Sequence, residues 1–99
     1  MRTPIHPGEH LAEEIRELDI SAAELARRLA VPTNRITQIV AGKRDITADT
    51  ALRLARFFGT SAQFWMNLQT LYNLDAARIE IGPALKSIRP RSSRQDAHA

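Results

Sequence analysis

SAAELARRLAVPTNRITQIVAGKR, residues 21–44, is the stretch on which the fold turns. Ser21 followed three residues later by Glu24 is the S-x-x-E pattern of a capping box at a helix start. Leu25, Ala26 and Leu29 then fall on one face at helical spacing. Val31-Pro32 closes this helix, because the residue before a proline is pushed out of the α region. Thr33 is placed to cap a second helix, whose apolar face is Ile36, Ile39 and Val40. Gly42 stands just past its end, where a left-handed residue commonly terminates a helix.

Two helices of this size joined by a three- or four-residue turn spell a helix-turn-helix. Small Ala26 lies where the two would cross closely. The outward positions of the second helix are Thr33, Asn34, Arg35, Thr37 and Gln38, all hydrogen-bonding types. No carboxylate occurs on it, which suits a helix inserted beside phosphates.

Working outward, 99 residues make one small domain with a single core. The absence of cysteine excludes disulfides and thiolate metal sites. No apolar run approaches the roughly 20 residues that span a bilayer, and the first residues do not read as a signal peptide, so a soluble, cytoplasmic protein without membrane contact is expected. The net charge is +3, unevenly spread. In residues 9–19, Glu9, Glu13, Glu14, Glu17 and Asp19 face only Arg16, a net of −4. In residues 21–44, Arg27, Arg28, Arg35, Lys43 and Arg44 face only Glu24, a net of +4. One basic side for nucleic acid and one acidic side turned away is the functional reading; two solvated faces of opposite sign is the plainer one.

The flanking segments supply three more helices. Residues 2–6 read as extended. Pro7 suits the first position of a helix in which Leu11, Ile15 and Leu18 recur on one face, ending near Asp19. Thr47 caps a fourth helix whose buried face is Ala51, Leu52, Leu54, Ala55 and Phe58, with Gly59 closing it. Ser61 caps a fifth, with Phe64, Trp65, Leu68, Leu71 and Tyr72 as a broad apolar stripe that also holds Met66. From Ile79 the pattern degrades, and Gly82-Pro83 is expected to break the chain, leaving Ala84 to Ile88 as a helical turn or a short arm. Beyond it, PRSSRQDAHA is polar and predicts a partly disordered tail, basic through Lys86, Arg89, Arg91 and Arg94. Such a tail can be an arm to DNA or to an acidic partner, but a solubilising tail is the first expectation. The fold class is thus all-α, with five helices. The expected division is a helix-turn-helix domain over 1–78, with the motif at 21–44, and a C-terminal arm and basic tail over 79–99.

His6-Pro7-Gly8-Glu9-His10 matches H-x-x-E-H, a zinc-protease pattern. We reject that reading, because Pro-Gly separates the two histidines and no third ligand follows. His10 and His98 are expected to be ordinary exposed residues. No metal, no cofactor and no catalytic constellation is expected: there is no Gly-rich phosphate loop, no nucleophile with a base at usable spacing, and no clustered carboxylates.

Beyond this, the chain resembles the HigA-type antitoxins of the VapI group, within the lambda-repressor-like (XRE) helix-turn-helix class. The resemblance is carried by HPGEHLAEEI, ELARRLAV, ITQIVAGKRDIT, ALRLARFFGTSAQFWMNLQ and LYNLDAA, over about residues 4–78. The last two are the most specific. It does not reach the basic tail. One departure is Ala30, where the family usually has Gly before the turn; a left-handed backbone there costs about 1 kcal/mol more with Ala. The resemblance implies a five-helix lambda-repressor-like domain that binds an operator in its own promoter as a homodimer. It also implies a second partner, a HigB-type toxin, a RelE-like ribonuclease that cuts mRNA, which the antitoxin neutralises without being an enzyme itself.

These readings assign residues. The Thr33–Ala41 helix is expected in the major groove of double-stranded operator DNA. Asn34 and Gln38, one turn apart, face the groove floor with Thr33 and Thr37, and amides pair bidentately with adenine. Thr33 and Thr37 can meet a thymine methyl or a phosphate, and Arg35 can read guanine or hold the backbone, the backbone being the expectation; Lys43 and Arg44, with the N-terminus of the preceding helix at Ser21 and Ala22, are expected on phosphates. Trp65, Leu68, Tyr72 and Ile79 are the expected homodimer surface, since aromatic and large apolar residues are enriched at such interfaces. The alternatives are a free-standing XRE-type regulator without a toxin partner, and an adaptor whose basic face meets an acidic protein.

Overall fold

The computed structural model describes residues 3–91, and among these there are five helices and no strand. They are α1 (Pro7–Leu18), α2 (Ala22–Leu29), α3 (Thr33–Val40), α4 (Ala48–Phe58) and α5 (Ala62–Lys86). Arg2 at the front, and Arg94 and His98 in the tail, lie outside the described residues. Arg89 and Arg91 are exposed beyond the last helix.

Local chemistry sets each boundary. His6 caps α1: its Nδ1 accepts from the Gly8 N–H at 2.9 Å, and Pro7 fills the first position. Asp19 ends α1 in the left-handed region, which Asp tolerates. The Ser21 hydroxyl accepts from the Glu24 N–H at 3.0 Å, as the capping pattern predicts. Its reciprocal half is missing, because the Glu24 carboxylate accepts instead from Arg27 and from Arg28 Nε. Thr47 and Ser61 cap α4 and α5, and Gly59 closes α4 at φ 75°. Thr33 does not cap α3. The cap position belongs to Pro32, without a side-chain hydrogen bond, because the proline fixes the extended φ needed there and Thr33 already stands inside the helix.

The core gathers Leu11, Ile15, Leu25, Ala26, Leu29, Ile36, Ile39, Ile46, Ala51, Leu54 and Trp65. Leu52, assigned by periodicity to the buried face of α4, is 63 % exposed; it lines an open groove with Arg28 and Leu29 of α2 instead of entering the core. His10 is not an ordinary surface residue: its ring stands edge-on to Phe64 and Trp65. Gly82-Pro83 does not break the chain. α5 continues through both to Lys86. Gly82 carries no Cβ, so one of the clashes that pushes a pre-proline residue out of the α region is missing.

Candidate nucleic-acid interface

The second helix of the motif is held against the first helix of the chain by a backbone contact. A Cβ on Gly8 would lie 1.9 Å from the Ile39 carbonyl oxygen, so only glycine lets α1 and α3 approach this closely. Ile36 and Ile39 are buried on that side. The opposite side of α3 is thereby fixed outward: Thr33, Asn34 and Thr37 are exposed and Gln38 is half-buried. The Thr37 hydroxyl donates to the Asn34 carbonyl at 3.4 Å.

Both ends of α3 are pinned by the turns around it. Ala30, at the end of α2, has φ 59° and ψ 45°, so the left-handed turn is kept with Ala in place of Gly. After α3, Gly42 takes φ 76°, and the Lys43 N–H donates to the Gln38 carbonyl at 2.8 Å. Lys43 and Arg44 are exposed, and among the described residues neither has an ion-pair partner. Ile46 then turns the chain back into the core. Its N–H donates to Gln69 Oε1 at 2.7 Å, while Gln69 Nε2 donates to Asn73 Oδ1 at 3.0 Å. Gln69 is a buried amide on α5 that sets the position of the 43–46 loop, and the sequence reading passed over it. Its signal was a polar residue in register with Trp65, one turn before Tyr72.

The motif's first turn is brought alongside. Ser21, Arg27, Val31, Pro32 and Thr33 line one open groove, so the starts of α2 and α3 face the same space. Ser21 is exposed and Ala22 half-buried. Hydrogen bonds from Arg28 and then Arg27 hold the Glu24 carboxyl below its ordinary range, so the one acid lining this groove is already paired.

Arg35 is placed differently from the other cations. Its side chain is 28 % exposed, and Nη1 donates to Asp49 Oδ1 at 2.8 Å. The same oxygen accepts from Arg53 Nε at 2.7 Å. Arg53 Nη1 in turn donates to the Leu29 carbonyl at 2.7 Å, and more distantly to that of Ala30. The hydrogen bond from Arg53, then that from Arg35, lowers the Asp49 carboxyl below its ordinary range. The sequence places Asp49 in the first turn of α4, as found, but gives it no partner and does not single out Arg53, because nothing in their local pattern announces a contact to α2 or α3.

Of the residues expected at a dimer surface, Trp65 is 1 % exposed and belongs to the core, with its Nε1 donating to Thr60 Oγ1 at 2.9 Å. It fills the junction of α1, α4 and α5, so no second chain can reach it. Leu68 and Tyr72 are half-buried and Ile79 is exposed, all three on α5. No described helix is long and apolar enough to cross a membrane.

With this geometry in place, comparison with known proteins gives consistent results. The helix-turn-helix family matches residues 11–65. Virulence-associated protein I of Dichelobacter nodosus is 54% identical over 74 residues, covering 74% of this chain and 68% of that protein. Among solved structures, an addiction module antidote protein of the HigA family from Coxiella burnetii superposes with a TM-score of 0.88 at 56% identity, covering 92% of this chain and 100% of that one. The Pseudomonas aeruginosa antitoxin HigA, solved with the higBA promoter, gives a TM-score of 0.86 at 50% identity, over 89% of this chain and 98% of that one.

Proposed function

From the premise that this chain belongs to the helix-turn-helix family, in its HigA-type antitoxin group, we propose that it is the antitoxin of a type II toxin–antitoxin pair. It represses its own operon by binding an operator, and it neutralises a HigB-type, RelE-like mRNA-cleaving toxin. It works by binding alone, without an enzymatic step, in the cytoplasm.

The observation that carries this reading is the outer face of α3. It is free of carboxylates, is presented by a helix locked onto α1 through Gly8, and holds Asn34, Thr37 and Gln38 side by side. We assign Thr33, Asn34, Thr37 and Gln38 to base edges in the major groove. Lys43 and Arg44, the Ser21 and Ala22 N–H groups, and Arg35 when it is free of Asp49 are assigned to phosphates. Phosphate contacts set register and affinity, while the amides supply sequence. The protein acts as a homodimer through α5, using Leu68, Tyr72 and Ile79. The helix-turn-helix domain is taken as 1–78 and the C-terminal arm and tail as 79–99, a division that falls inside α5; of the arm, the part of α5 after Arg78 is assigned to pairing.

The test is a promoter mobility shift, run with and without the product of the adjacent reading frame. Binding to the promoter together with stable co-purification of that product, and rescue of the growth arrest it causes, is expected. Promoter binding without any such partner would leave a free-standing regulator. Binding that ignored salt, or no promoter binding at all, would remove the DNA reading.

A further inference from the structure

The cations near α3 fall into two kinds. Lys43 and Arg44 are exposed and, among the described residues, unpaired. Arg35 is held at 2.8 Å by a carboxylate that comes from another helix. That carboxylate is itself anchored: Arg53 grips the same oxygen while its own Nη1 is fixed to the end of α2 through the Leu29 carbonyl. Arg53 is therefore the permanent partner of Asp49, and Arg35 is the one that can leave. A guanidinium held on a carboxylate does not meet a phosphate and displaces no counterion of its own there, whereas a free one displaces about one for each phosphate it meets.

Resting on the DNA reading above, we propose that Asp49 is a specificity-determining positioning residue. It withholds Arg35 from the phosphates of random DNA and yields it only when α3 is seated in its operator. Arg35 flanks the helix beside Asn34 and Gln38. A phosphate comes within its reach when those amides enter the groove, and base complementarity drives them in. On a mismatched duplex the helix rides higher, and the ion pair to Asp49 persists. The carboxylate is 56 % exposed and stands in the first turn of α4, just after the loop that carries Lys43 and Arg44. It is thus close enough to the duplex to repel phosphates that are not matched by a seated helix. Like any aspartate it is charged at neutral pH, and the hydrogen bond from Arg53 holds its carboxyl lower still.

The test is a salt series on operator and random duplexes of equal length, with wild type, Arg35→Ala, Asp49→Ala and the double variant. For Arg35→Ala, the log K against log[salt] slope on the operator flattens by about one, while the slope on random DNA stays as in wild type. For Asp49→Ala, the random-DNA slope steepens by about one, and the operator-to-random affinity ratio falls by roughly three- to tenfold. In the double variant the steepening disappears, which a merely structural role for Asp49 would not produce. Asp49→Asn, which keeps an acceptor at the start of α4, gives the same direction and serves if the Ala variant melts early. An unchanged random slope in both Asp49 variants overturns the proposal. So does equal steepening with Arg35 absent, or a flattened random slope in Arg35→Ala alone. A wild-type protein that bound the two duplexes alike would fail differently, by removing the operator reading itself.

Discussion

At the scale of single residues, the decisive contrast is between side chains that read and side chains that hold. Gln38 is half-buried on the outer side of α3 and is assigned above to a base edge. We expect Gln38→Ala to cost ~1–3 kcal/mol on the operator and to relax preference at one base position, as read by a panel of singly substituted duplexes. Lys43→Ala should instead weaken every duplex alike and flatten the salt slope by about one. Ala30 belongs to a third kind, a residue whose backbone matters more than its side chain. At φ 59° it carries a left-handed strain that glycine would not, set against the greater freedom glycine gives the unfolded chain. The balance predicts that Ala30→Gly stabilises by about 0.5–1 kcal/mol, a rise in Tm of roughly 3–6 °C by calorimetry.

At the scale of elements, α3, the helix assigned above to the major groove, depends on its neighbours more than on its own sequence. α3 has eight residues and no side-chain cap, far too short to persist alone, so packing keeps it helical. Gly8 is a point of close backbone approach in that packing. Gly8→Ala should destabilise by about 3 kcal/mol, because a backbone carbonyl cannot yield as a side chain can, and the better helix propensity of Ala in α1 does not offset this. Urea denaturation measures it, and operator affinity should fall in parallel as α3 shifts. This also marks what was legible in the chain. Helix starts at Ser21, Thr47 and Ser61 and stops at Gly42 and Gly59 were readable, since capping is a local affair of a hydroxyl or a missing Cβ. The Gly8–Ile39 approach, the Gln69 amide under the 43–46 loop and the Arg53–Asp49–Arg35 chain were not. Apart from the i,i+4 pair of Asp49 and Arg53, each of these contacts joins residues 14 or more positions apart, so no short window of sequence contains both ends. Helix ends set by a proline were read less well. Pro32 took the cap expected of Thr33, and Pro83 was absorbed where a break was expected, because the effect of proline depends on the neighbouring Cβ and on what packs nearby.

At the scale of the whole molecule, the feature that calls for explanation is the length of α5. Its 25 residues run about 37 Å. The described chain measures 53 Å along its longest axis and 25 Å across, so the helix projects well past the body it packs on. On the projecting part, Leu74, Ile81 and Leu85 stay exposed at spacings of three and four around Arg78, which is paired with Asp75 at 3.0 Å; Ile79 and Ile88 are exposed as well. Leaving such residues in water costs roughly 1 kcal/mol or more apiece relative to burying them, and a second copy of α5 would recover that on both chains. A chain ended after Arg78 retains Trp65 and Gln69 in the core but loses Ile79, Ile81, Leu85 and Ile88. Its dimer should therefore weaken by at least about tenfold in sedimentation equilibrium, with the thermal unfolding of the body little changed. A two-fold dimer places its two α3 helices one DNA turn apart, or a multiple of it, so the operator should be a palindrome with half-sites about 34–36 Å between centres or a multiple of that. Inserting five base pairs between the half-sites turns one of them to the opposite face of the duplex. The full-length protein should then bind as weakly as it does to a single half-site, and ten inserted base pairs should restore part of the lost affinity. If five and ten base pairs were equally harmful or equally harmless, the two reading helices would not be rigidly coupled, and α5 would have to serve some other purpose.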